Sequence, residues 1–206
     1  MAFATYDDLR VAIGDWLNRA DLAAVIPTFI SIAESYFDKN LRAREMWETV
    51  EITATDGAAP LPLDMAELIT VRSLTRSGEP LEYLSPRETI AFDATRRQRL
   101  TNKYTIAGAN LRLVSRLEGT EQIQIDYYAR VPRLGAAQPS NWLLQRAPEM
   151  YLYGALVQAA PYLKDDARVQ TWADLLQRSM DDLRVDDERA EFSGSTLRVQ
   201  SRGFGG

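Results

Sequence analysis

Neither cysteine nor histidine occurs anywhere in this 206-residue chain. Without cysteine there is no disulfide, no thiolate nucleophile and no cysteine-built zinc site. Without histidine the usual near-neutral general base and the commonest metal ligand are missing, so neither a Ser-His-Asp nor a Cys-His constellation can be assembled. What chemistry is left rests on carboxylates, lysine, tyrosine or a Ser/Lys pair, and no cofactor or metal is expected. Long apolar runs are missing too: nothing approaches the ~18 apolar residues of a membrane span, and Met1-Ala2-Phe3-Ala4-Thr5 has no basic region leading into an apolar stretch. The chain is therefore expected in the cytoplasm of the cell that makes it. Positive charge is not in excess either. The formal net charge of -5 gives no global electrostatic reason to grip nucleic acid, which needs clustered Lys and Arg.

What is present reads as helix, then strand, then helix. Thr5 is placed to cap a first helix with Asp7 and Asp8 in its first turn, and Leu9, Ile13, Trp16 and Leu17 recur on one face. Asn18-Arg19-Ala20-Asp21 breaks that pattern. Pro27 suits the start of a second helix, whose apolar stripe runs through Ile26, Ile30, Ala33, Phe37 and Leu41 and is widened by Phe29, Ile32 and Tyr36. Glu34, Lys39, Arg42 and Arg44 are assigned to the rest of the cylinder. From Met46 the period becomes two: Trp47 to Ala54 alternates, and Asp56-Gly57 marks a turn. Leu61-Pro62-Leu63-Asp64 is unsuited to a central strand. Leu68 to Leu74 and Leu81 to Leu84 read as a strand pair around Ser77-Gly78.

Ser85-Pro86-Arg87-Glu88 is a capping box for a short helix to about Ala94. Three strands follow, at Tyr104–Ile106, Leu111–Leu113 and Gln122–Tyr128, with Ile123, Ile125 and Tyr127 on one face. Helices return at Asn141 and Pro148, where Tyr151, Leu152, Ala155, Leu156 and Ala159 keep helical spacing until Pro161. The last helix carries Val169, Trp172, Leu176, Met180 and Leu183 and stops near Phe192. Ser193 to Gly206 differs in kind: four of its fourteen residues are glycine, it has no Asp or Glu, and it spans about 45 Å if extended. The expected fold class is α+β, mainly α: a helical bundle from residues 5–45 and 141–192, an inserted small antiparallel β region at about 46–138, and an extended C-terminal tail. Residues 1–192 are read as one domain and 193–206 as a flexible docking segment.

Tyr6-x-x-Leu9 followed by Trp16-Leu17-Asn18-Arg19-x-Asp21-Leu22, Pro27-x-x-Ile30-x-x-Ala33-Glu34, and Leu41-Arg42-x-Arg44-x-Met46 resemble the start of the head-to-tail adaptor (connector) proteins of tailed bacteriophages. Leu61-Pro62-x-Asp64, Tyr127-Tyr128-Ala129-x-x-Pro132-x-Leu134, and the run from Asn141-Trp142-Leu143-Leu144 to Lys164-Asp165-Asp166 continue the likeness, and Asp187-Glu188-Arg189-Ala190 closes it. Residues 95–103 fit it least. The resemblance implies a non-enzymatic structural virion protein at the head–tail junction, assembled in the host cytoplasm. It implies a ring of twelve copies joining the portal protein to the next neck or tail protein, with double-stranded DNA passing through.

Against that background, Leu197, Arg198, Val199, Arg202 and Phe204 are expected to dock the tail on the portal, since an extended segment with alternating side chains suits strand addition. Arg96, Arg97, Arg99 and Lys103 form the one dense basic run, read as an inter-subunit or solvated strip and alternatively as a lumen wall facing DNA. Trp16, Trp142 and Trp172 are expected in the core, while Tyr151 and Tyr153 suit core or interface. Two other readings stand beside the adaptor. One is a tail-accessory peptidoglycan hydrolase using a carboxylate pair, Asp64 with Glu67 or Glu34 with Asp38. The other is a soluble scaffold or regulator unrelated to phage.

Overall fold

The computed structural model describes residues 3–76, 78–91, 102–114, 119–163 and 167–192. The chain divides into two compact units, one of residues 1–44 and 133–206, the other of 45–132.

The first unit is helical. Helix α1, Tyr6–Leu17, opens on a capping box in which the Thr5 hydroxyl accepts the Asp8 N–H and the Asp8 carboxylate accepts the Thr5 N–H. It ends at Asn18 in the left-handed conformation that asparagine tolerates. A 3-10 turn at Ala20–Leu22 leads to α2, Ile26–Asn40, with proline in its first turn. Helix α4, Trp142–Arg146, is capped by the Asn141 side chain. Helix α5 is Pro148–Gln158, and α6 is the 25-residue Arg168–Phe192. Helix α5 lies at the centre, in contact with α1, α2, α4 and α6. It buries Met150, Tyr151, Leu152, Gly154, Ala155 and Leu156, so its apolar residues are spread around the helix and not confined to one stripe. Leu9 and Ile13 of α1 and Phe29, Ile30 and Phe37 of α2 are buried, the Phe37 ring edge-on to Tyr151 of α5, and Trp172, Leu176, Met180 and Leu183 form the buried stripe of α6. Each such side chain contributes about 1.5–3 kcal/mol by leaving water.

The second unit is a seven-stranded sheet in the order β3-β7-β1-β2-β6-β5-β4. Its strands are β1 Trp47–Thr55, β2 Ala58–Pro60, β3 Met65–Ser73, β4 Glu82–Tyr83, β5 Lys103–Ala107, β6 Asn110–Leu113 and β7 Thr120–Ala129; helix α3, Pro86–Ala91, follows β4. Strand β7 is the spine, paired antiparallel to β1 along its whole length and to β3 through two register shifts. Asp56 and Gly57 both take positive φ, joining β1 to β2 through the turn that the right-handed strand twist favours. Ile123, Ile125 and Tyr127 point inward with Val71, Leu111 and Leu113 to form this unit's own core. The two ends of the strand order approach each other: Arg72 of β3 bridges Pro80, and the Leu81 N–H donates to Val71 O at 2.7 Å.

This overturns the expectation of a mainly α bundle carrying a small antiparallel β region. The sheet has seven strands and organises a compact unit of its own, residues 45–132, with strands of 9, 9 and 10 residues, and it is mixed, because β4 runs parallel to β5. The predicted pairing of 68–74 with 81–84 survives only as the Arg72–Pro80 bridge and the Leu81 bond; the ladder of β4 is to β5. Strands of two and three residues carry too little alternation to be seen in sequence, and a parallel partner twenty residues away leaves no local trace.

Candidate functional site

The most unusual side chain of the helical unit is Glu34, 2% exposed in the middle of the α2 stripe. Its position, four residues after Ile30 and three before Phe37, puts it on the apolar face, not on the polar side assigned from composition. Its carboxylate accepts the Leu134 backbone N–H at 2.7 Å and the Tyr151 hydroxyl at 3.4 Å, and lies 3.6 Å from the Arg133 guanidinium. Arg133 reaches on to Asp38 at 2.6 Å. The Asn141 amide donates to the Tyr151 hydroxyl at 2.7 Å, and Asn141 Oδ1 accepts the Leu144 N–H as the α4 cap. Burial pushes the Glu34 carboxyl above its ordinary range, while the Leu134 N–H and Arg133 pull the other way. Burial likewise pushes the Tyr151 phenol up. The predicted Glu34/Asp38 pair thus converges on one arginine.

A second fastener sits at Asp187. It continues the α6 stripe of Leu176, Met180 and Leu183 at helical spacing, so its carboxylate turns toward the interior of the unit. It accepts the Arg44 backbone N–H at 3.0 Å and the Arg146 guanidinium at 2.5 Å. Arg44 and Arg133 are the residues at which the chain leaves and re-enters the helical unit, so each crossing is pinned by buried or half-buried carboxylates.

In the β unit, Asp64 accepts the Tyr127 hydroxyl at 3.2 Å, and burial together with that carboxylate pushes the phenol up to about 12. Glu67, its predicted partner, is exposed. The Ser73 hydroxyl donates to Glu121, which also binds Arg76 at 2.9 Å, closing the end of β3 onto β7. Lys103 of the basic strip is ion-paired with Glu82 across β4 and β5. Arg96, Arg97 and Arg99 lie outside the described residues, as do Leu197, Arg198, Val199, Arg202 and Phe204.

The tryptophans divide. Trp172 is buried and Trp142 half-buried, but Trp16 is 42% exposed, its ring edge-on to Tyr153 at 5.9 Å. Ile32 and Tyr36 are exposed one turn apart on α2, and Trp47 and Tyr83 are exposed in the β unit. A groove of about 680 Å³ runs between α1 and the 18–26 turn, past Val11, Gly14 and Ile26. Its rim arginines, Arg10 and Arg19, are turned to Asp7 and Asp21 instead of converging on the space. Sequence reading missed Glu34 and Asp187 as interior groups, although their spacing within the apolar stripes was the available signal.

Among the described residues no cluster of acidic side chains has a metal-binding arrangement, and no helix is long and apolar enough to cross a membrane. What the geometry offers is rigid fastening inside each unit and apolar side chains left at the surface, the equipment of a structural part. No curated protein matches the chain. The sequence pattern of the SU10 adaptor protein family matches residues 4–200, nearly the whole chain and both units. The chain belongs to the SU10 adaptor protein family, and its role is that of a structural adaptor of a phage particle.

Proposed function

We propose that the protein is a head-to-tail adaptor without enzymatic activity, twelve copies of which form a ring that joins the portal to the next neck or tail component and leaves a channel for DNA. The observation that carries this reading is the family match across residues 4–200. Two features support it. Trp16, Ile32 and Tyr36 on the helical unit and Trp47, Leu63 and Tyr83 on the β unit leave large apolar groups in water, which a part designed for several neighbours would cover. The carboxylates that suggested hydrolysis are engaged structurally, Glu34 and Asp38 with Arg133 and Asp64 with Tyr127. The segment 193–206 supplies attachment to the portal through Leu197, Val199 and Phe204, with Arg198 and Arg202 between them. Multiplicity makes weak single attachments durable, because each additional one is intramolecular.

The test is binding to purified cognate portal, read by negative-stain microscopy, of the full chain and of a truncation after Phe192. A ring added by the full chain and not by the truncation is the expected result. If neither form binds, the portal partnership is wrong.

A further inference from the structure

We propose that the turn at Leu63 of one copy seats in the groove between α1 and the 18–26 turn of a second copy of this chain, with Arg130 beside the turn facing Asp15 beside the groove. Placing that contact between neighbours in a ring rests on the adaptor reading; the contact itself does not.

Leu63 is 93% exposed, the most exposed large apolar side chain among the described residues. It does not stand on a loose loop. The Pro62 carbonyl accepts the Met65 N–H at 3.3 Å, closing a turn with Leu63 and Asp64 at its tip. Both sides of the turn are tied down. The Leu61 N–H donates to Ala109 O at 2.9 Å and the Arg130 N–H to Asp64 O at 2.7 Å, while the Asp64 carboxylate accepts the Tyr127 hydroxyl. Leu61, two residues earlier, is buried in the core of the β unit, so one leucine is held in and the next held out. A turn fixed on both sides has little ordering entropy left to lose on binding, which makes its apolar tip a preorganised knob.

The groove is the matching concavity. It measures about 680 Å³ and is lined on its apolar side by Val11, Gly14, Ala20, Ala23 and Ile26. Val11 is 64% exposed, and Ala20 and Ala23 are exposed too, so this lining is apolar surface left in water. The volume falls within the roughly 300–1,000 Å³ of small-molecule sites, but such sites bring a few polar groups to converge on the space. Here Arg10 and Arg19 are engaged with Asp7 and Asp21. What the groove presents is shape and apolar surface, and a protruding leucine answers both.

The charges beside the two parts are opposite. Arg130, whose N–H is bonded to Asp64 of the turn, is exposed, and Asp15 lies exposed on the groove; neither side chain has an ion-pair partner among the described residues. Knob and groove are different surfaces, one on each compact unit, so every copy carries both. A contact of that kind is heterologous: it repeats from copy to copy and closes into a ring where the rotation permits.

The absence of native cysteine makes the test clean. One preparation of the full chain is isotope-labelled at its leucine methyls, with the Leu63 signals assigned by their loss in Leu63→Gln. A second, unlabelled preparation carries Ala24→Cys with a nitroxide, at an exposed position next to the groove. In the mixture only contact between copies can broaden the Leu63 methyl signals. The expected result is broadening at Leu63 that grows with concentration and is lost when the nitroxide chain carries Val11→Glu. Arg130→Glu in the isotope-labelled chain should weaken it, and Asp15→Arg in the nitroxide chain should restore it. Val11, Asp15 and Arg130 are exposed, so circular dichroism should be unchanged in all three variants. Absence of broadening at Leu63 overturns the proposal. So does broadening that Val11→Glu leaves intact, since the turn then sits elsewhere, and indifference to Arg130→Glu overturns the pairing with Asp15. Purified portal is a separate arm, in which rings built from chain carrying Leu63→Cys and Val11→Cys should oxidise to a ladder of linked copies. Portal-bound rings that give no ladder overturn the placing in the ring. A portal that binds no copies sinks the adaptor reading, and the contact is still decided by the broadening.

Discussion

The Glu34 carboxylate on α2 accepts the backbone N–H of Leu134 at 2.7 Å, across 100 residues of sequence that include the whole β unit. The bond and its neighbours fix the chain at the point where it returns to the helical unit. Asp187 does the same for the departing chain through Arg44. Both fasteners are carboxylates on apolar stripes, so a helical unit assembled from the two ends of the chain is registered by directional bonds as well as by packing. Buried polar groups of this kind cost desolvation unless satisfied, and here each finds partners.

Glu34→Ala and Glu34→Gln should differ sharply. Alanine leaves the Leu134 N–H and Tyr151 hydroxyl without an acceptor, at about 1–3 kcal/mol for each group left unsatisfied. Glutamine keeps an oxygen for the Leu134 N–H and removes the charge. Because burial raises the folded-state pKa of Glu34 above the unfolded one, the folded protein binds the proton more tightly. The stabilisation from that proton is present at low pH and is lost as pH rises from the unfolded pKa through the raised folded value. Urea melts from pH 4 to pH 8 should show this decline in the parent and a flatter profile in Glu34→Gln. Equal stability of the two variants would sink the argument.

Asp187→Ala removes an acceptor shared by the Arg44 N–H and the Arg146 guanidinium. Loss of about 2–3 kcal/mol is expected, as for charge-assisted bonds to a largely shielded group. In a double-mutant cycle with Arg146→Ala, a coupling energy of about 1 kcal/mol or more should appear, measured from denaturant midpoints at constant slope. Simple additivity of the two substitutions would show that the close contact at 2.5 Å stabilises nothing.

Much of the local structure was legible. The Thr5 cap, the capping box at Ser85–Glu88, the Asp56-Gly57 turn and the alternation of 47–54 and 122–128 all act within a few residues, where sequence pattern and geometry are the same thing. The strand order was not legible. It depends on Ala58–Pro60 pairing with β6 and on Glu82–Tyr83 joining β5 in parallel, contacts decided by closure of the whole sheet. Glu34 was misplaced, and Asp187 passed over, for a different reason. A charged residue within an apolar stripe reads as an interruption until its partners, Leu134 and Arg146, are brought to it from distant sequence.

At Gly154, α5 packs close against α2. A Cβ there would stand 3.0 Å from the Phe37 ring and 3.1 Å from the Ala33 methyl. Gly154→Ala gains about 1 kcal/mol of helix propensity. The two flanking contacts are in a packed core, and overpacking costs about 1–3 kcal/mol. Net destabilisation is expected in Gly154→Ala, larger in Gly154→Val, and Phe37→Leu should recover part of the Gly154→Ala loss. A Gly154→Ala protein more stable than the parent would mean that α2 shifts without penalty.

Ile32 and Tyr36 test the assembly reading without touching the fold. They are 45% and 37% exposed, one turn apart on α2, and the neighbouring Ser31 and Ser35 are small enough to let another surface come close. Replacing both with glutamine removes apolar area from water and buries no polar group, so thermal stability should stay within about 0.5 kcal/mol of the parent, as for ordinary surface changes. If copies pack side by side through this face, rings on the portal should be lost while the purified variant remains as well folded as the parent by circular dichroism. Trp47→Gln in the β unit is the matched comparison, one exposed apolar group removed from the other unit. Rings that form undiminished with the double α2 variant would place lateral contact elsewhere, and loss with Trp47→Gln alone would assign it to the sheet.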